Sequence, residues 1–76
     1  MSKILVVDDD AQIRSLLDQG FSQQGHTVVP VPELTQAFAK IVREEFDLVI
    51  LDLDMRGEHG TTFLKKIRDT KSDIPI

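Results

Sequence analysis

Five aspartates stand in two short groups. Asp8, Asp9 and Asp10 directly follow Lys3-Ile4-Leu5-Val6-Val7, and Asp52 and Asp54 close the apolar start of LVILDLDMRGEHG, residues 48 to 60. Carboxylates packed together repel one another and cannot all stay ionised unless a cation joins them. Hard oxygen ligands at an open cleft suit magnesium, which keeps several waters and takes only a few protein oxygens. An acid just after a strand can also simply cap the next helix, and that is the role read for Asp10. Asp9 and Asp52 are read as functional, because a carboxylate at the end of a buried strand is costly without a purpose.

The two groups are far apart in the chain, so the elements that carry them must bring them together. Ile4 to Val7 is a continuous β-branched and leucine run, the mark of a strand buried on both faces in a parallel sheet. Asp10 then opens a helix with Ile13, Leu16, Leu17 and Phe21 as its buried apolar face, and Gly25 is placed to end it. Residues 26 to 31, HTVVPV, predict a short strand, which Pro30 assigns to a sheet edge. A second helix has Leu34, Ala37, Phe38, Ile41 and Val42 as its stripe, with Lys40, Arg43, Glu44 and Glu45 as a solvated face. A third strand spans Leu48 to Leu53. After a glycine-bearing loop over 56 to 60, Phe63, Leu64 and Ile67 mark a third helix started by Thr61 and Thr62. Ile74-Pro75-Ile76 then begins a further strand.

Strands alternating with helices imply right-handed crossovers and a parallel α/β sheet. In the flavodoxin-like order 2-1-3 the first and third strands are neighbours, and ligands bind beyond their carboxyl ends. The acids of both groups fall at those ends, so they are expected to share one cleft.

The totals narrow the classes. The chain has 76 residues, enough for one small domain, with 41% hydrophobic and 29% charged residues, a globular balance. No apolar run approaches the ~20 residues of a membrane span. The absence of cysteine excludes a disulfide framework and a thiolate metal site, and the acids at 8 to 10 interrupt any secretion-signal layout, so a cytoplasmic address is expected. A formal net charge of −4 argues against direct nucleic-acid binding. His26 and His59 lack a second histidine at ligand spacing and read as ordinary loop or strand-edge residues.

The residues KILVVDDD, the IR pair at 13 and 14, the strand-end acid of DLVILDLDMRGEHG and the tail IRDTKSDIPI together resemble the first part of a response-regulator receiver domain of two-component signalling. The resemblance implies a truncated flavodoxin-like βαβαβα domain over residues 1–76, about three-fifths of an ordinary ~120-residue domain, with the fourth strand only begun. It implies that Asp52 accepts a phosphoryl group from a phosphohistidine on a histidine kinase or phosphotransfer partner. Asp9 would ligate magnesium directly and Asp8 through water, while the backbone carbonyl of Asp54 would supply the third protein oxygen. The family's later Ser or Thr and Lys, which contact the phosphoryl group, have no counterpart among these residues, so phosphoryl loading is expected to be impaired. Arg56 stands where proline is common in the family.

Two other readings compete. LDLDM also resembles the first motif of haloacid-dehalogenase-like phosphohydrolases, which would make Asp52 nucleophile and Asp54 acid/base, but Met55 and Arg56 depart from that motif. A third reading, a fragment that does no phosphoryl chemistry and acts only through its surfaces, is a serious rival because the later lysine and hydroxyl have no counterpart here. The reading adopted is a phosphoacceptor and not an enzyme. An exposed outer edge on the third strand predicts association of copies of the chain, with two-fold symmetry, through that edge or by exchange of Ile74-Pro75-Ile76.

Overall fold

The computed structural model describes residues 2–52, 60–70, 75 and 76. The strands are β1 (Lys3–Val7), β2 (Thr27–Val31) and β3 (Leu48–Leu51), and the helices are α1 (Ala11–Gln23), α2 (Leu34–Arg43) and α3 (Gly60–Thr70), alternating along the chain. The strands pair in parallel in the order β2-β1-β3, as the alternation predicts. Pro30 lies opposite Val6 in the edge strand, where a residue without an N–H is tolerated. Pro75 supports the predicted start of a fourth strand: its carbonyl accepts from the N–H of Val49 at 2.9 Å, on the side of β3 away from β1.

The central strand explains its own sequence. Ile4, Leu5, Val6 and Val7 are all buried, since a parallel central strand is covered on both faces. Leu5 and Val7 join Val31, Leu34, Ala37, Ile41, Phe46, Val49, Phe63 and Ile67 in one core cluster between the sheet and the helices α2 and α3. Ile4 and Val6 point to the opposite face by the period of two, toward α1.

Both ends of α1 are set by local chemistry. An Asp10 Oδ1 accepts from the N–H of Gln12 at 2.9 Å and of Ile13 at 3.4 Å, satisfying donors that the first turn leaves unpaired. At the other end Gly25 takes a positive φ of 91°, His26 N–H donates to the Phe21 carbonyl and Gly25 N–H to that of Ser22. This is the Schellman arrangement, which favours glycine because a Cβ is strained at that φ. The His26 ring packs edge-on against Phe21 and its Nδ1 accepts from the Ser2 N–H. His26 therefore belongs to the helix stop, which is why β2 starts one residue later than the sequence predicts.

The expectation for the face of α1 needs correction. None of its residues is fully buried, and Ile13 and Leu16 are 42% and 68% exposed. The half-buried positions are Arg14, Leu17, Asp18 and Phe21. That stripe keeps Leu17 and Phe21 of the one chosen by hydropathy but takes Arg14 and Asp18 in place of Ile13 and Leu16, a rotation of the buried side by roughly 75° at about 100° per residue. In α2, Leu34, Ala37 and Ile41 are buried and Phe38 packs on the core as expected, but Val42 is 51% exposed.

The solvated face read for Lys40, Arg43, Glu44 and Glu45 holds except at Glu44. Its carboxylate accepts from the Lys3 ammonium and lies 3.5 Å from that of Lys40. The hydrogen bond from Lys3, reinforced by both positive charges and partly opposed by burial, holds the Glu44 carboxyl below the ordinary glutamate range. Lys3 also sits over the Phe46 ring, 5.0 Å from its centroid, and its backbone exchanges hydrogen bonds with Asp47. The start of β1 is thereby tied to the start of β3.

Candidate functional site

The carboxyl ends of β1 and β3 meet at the opposite end of the sheet. The register pairs Val7 with Leu51, so the next residue of each strand, Asp8 and Asp52, leaves the sheet at the same level. The N–H of Asp52 donates to the Val7 carbonyl at 3.0 Å, and that of Asp8 to the Val31 carbonyl at 3.3 Å, fixing both against their neighbouring strands. β3 ends at Leu51, short of the predicted Leu53, so Asp52 is the first residue beyond it.

Asp8, Asp9 and Asp52 each bring one carboxylate oxygen to within 4.8 Å of the other two. Asp8 is 8% exposed, Asp52 is half-buried and Asp9 is exposed, which grades the cluster from sheet to solvent. Two oxygens on one magnesium ion at 2.0–2.1 Å lie at most about 4.2 Å apart, so this spacing suits one ion with part of the contact through water. The hard, all-oxygen donor set fits the same ion. Asp54, whose carbonyl completes the predicted set, lies outside the described residues, as do Arg56 and His59.

The loop between β1 and α1 is held from several sides. Asp8 Oδ1 accepts from the Asp10 N–H at 2.9 Å, while Asp10 spends its own carboxylate on the helix cap, as the sequence predicts. Arg14, one turn into α1, donates from Nη1 to the Asp8 backbone carbonyl at 2.7 Å. In the sequence Arg14 stands out only as part of the family pattern, with no role of its own. The available signal was its position four residues after the helix cap, on the turn that faces the cap. Lys3 stands at the far end of β1, and Lys65 and Lys66 are exposed on α3.

Residues 4–76 match the family model of the response regulator receiver domain. The chain belongs to that family. Among its relatives, the two-component response regulator PhoP of Pseudomonas aeruginosa is 32% identical over 74 residues, covering 97% of this chain and 33% of that protein. The chain thus spans about a third of the length of that relative. Two solved structures contain the Thermotoga maritima response regulator TrrA, one in complex with Mg2+-BeF and the other with the histidine kinase ThkA. They superpose with TM-scores of 0.90 and 0.89 at 36% identity, covering 97% of this chain and 64% of theirs. The receiver assignment from KILVVDDD and DLVILDLD and the flavodoxin-like order therefore stand. No helix among the described residues of the receiver is long and apolar enough to cross a membrane.

Proposed function

We propose that this receiver is the phosphoacceptor of a two-component response regulator, with Asp52 taking a phosphoryl group from a phosphohistidine of a partner histidine kinase. The observation that carries the reading is the meeting of Asp8, Asp9 and Asp52 in a chain of this family. In the transfer, an Asp52 carboxylate oxygen forms a bond to phosphorus as the phosphorus–nitrogen bond breaks, and the departing imidazole nitrogen ends protonated from solvent. Asp52 is well placed for this because its backbone is pinned to Val7 and its half-buried carboxylate stays reachable from outside. Asp8 and Asp9, with Asp52 and the Asp54 carbonyl, would hold magnesium, the metal in the TrrA complex. When bound, magnesium supplies positive charge that offsets repulsion between the carboxylate and the phosphoryl oxygens.

The receiver acts as a stoichiometric acceptor rather than a turnover enzyme. Steady phosphate release from a generic phosphate ester would instead favour the hydrolase reading of Asp52 and Asp54. A cytoplasmic location accompanies the kinase partner. An apolar groove along the outer edge of β3, lined by Leu48, Ile50, Leu64 and Ile76, is the surface through which copies of the chain associate, and light scattering across concentration tests that.

The direct test uses beryllofluoride, a stable phosphoryl stand-in. With magnesium present it should shift the amide resonances of Asp52 and of the loop at Asp8 to Asp10, and Asp52→Asn should abolish the shift. A silent wild type, or a variant that responds equally, would remove the reading.

A further inference from the structure

We infer that Arg14 is a positioning residue of the acidic site, an inference that rests on the phosphoacceptor reading and adds to it. Its guanidinium, half-buried on the inward side of α1, donates to the Asp8 carbonyl at 2.7 Å, within the short range of charge-assisted bonds. Because the peptide unit is planar, holding the carbonyl of Asp8 also holds the N–H and Cα of Asp9, the point from which the Asp9 side chain leaves the backbone. Asp8 is meanwhile fixed by its own N–H on Val31 and by its Oδ1 on the Asp10 N–H. The Asp8–Asp9 peptide, between the strand and the helix, is thus clamped by α1 itself.

The packing of α1 agrees with such a role. The helix turns Arg14 inward with Leu17 and Phe21, while Ile13 and Leu16, which hydropathy alone would bury, face outward at 42% and 68% exposure. The guanidinium bonds a backbone carbonyl in the loop that carries the acidic cluster.

This role and a purely electrostatic one have opposite signs. A cation beside three carboxylates weakens the binding of another cation, so if Arg14 acted by charge alone, its removal would tighten magnesium binding. If it positions Asp9, its removal loosens binding, by about tenfold as for other groups that orient metal ligands. Magnesium alone is titrated into wild type, Arg14→Met and Arg14→Lys, following amide resonances of Asp8 to Asp10, with hydrogen exchange at the Asp10 amide read in the metal-free proteins. The expected result is faster Asp10 exchange and weaker binding in Arg14→Met, with Arg14→Lys restoring part of both. Unchanged or tighter binding in a folded Arg14→Met overturns the inference alone. A folded wild type that does not respond to magnesium overturns the phosphoacceptor reading and this inference with it. If Arg14→Met does not fold, the comparison of Arg14→Lys with wild type decides, and equal affinity there overturns the role.

Discussion

The backbone N–H of Asp52 donates to the carbonyl of Val7 at 3.0 Å. Val7 is the residue before Asp8, so a single ladder bond sets the level at which the two acidic strand ends emerge. The site is thus a product of register. A slip of one residue in the β1–β3 pairing would turn the side chains of β3 to the opposite faces and take Asp52 away from Asp8.

Magnesium binding should depend on Asp9 and leave the fold intact, since Asp9 is exposed and stands outside every strand and helix. Asp9→Ala is expected to lose most of the amide response of Asp8 and Asp52 to magnesium while keeping the wild-type circular dichroism. An unaltered titration in the variant would exclude Asp9 as a ligand.

The two ends of α1 give separate stability effects. Asp10→Ala removes a side-chain cap and should cost about 1 kcal/mol. Gly25→Ala places a Cβ at φ 91° and should cost about 1–2 kcal/mol. Urea unfolding of each variant measures these losses; no loss for Gly25→Ala would mean that the helix stop does not need the left-handed residue.

Leu5 is fully buried at the centre of the core cluster between the sheet and α2 and α3. Leu5→Ala should destabilise by about 2–5 kcal/mol. In a chain this small that is a large fraction of the whole stability, and the urea midpoint is expected to fall steeply. A midpoint within error of wild type would contradict the placement of the core.

Glu44 gives a pH-dependent effect of known sign. Its carboxyl is held below the ordinary range in the fold by the Lys3 hydrogen bond. A depressed carboxyl contributes stability above the unfolded pKa and loses it as pH falls through the folded one. The stability gap between wild type and Glu44→Gln should therefore be steady near neutrality and close as pH falls through and below the ordinary glutamate range. A gap that widens on acidification would show that the ion pair with Lys3 does not form in solution.

Most of the fold could be read from local signals. The apolar run of Ile4 to Val7, the cap at Asp10, the stop at Gly25 and the edge proline at Pro30 each carry their own physical reason, and the structure follows all of them. The meeting of Asp8, Asp9 and Asp52 follows from strand order. What the sequence hid were matters of rotation and of distant partners. Hydropathy locates an apolar stripe on α1 but does not say which side of it meets the sheet, so the inward turn of Arg14 and the exposure of Leu16 went unread. The pairing of Glu44 with Lys3 joins residues 41 positions apart and leaves no periodic trace.

The central claim is that Asp52 accepts a phosphoryl group in a magnesium-dependent site. Incubation with a small acyl phosphate, followed by intact-mass measurement and mapping of the modified residue, tests it most directly. The account predicts addition of a single phosphoryl group per chain, located on Asp52, dependent on magnesium and absent in Asp52→Asn. Labelling that persists without magnesium, falls on another residue or survives Asp52→Asn would contradict it.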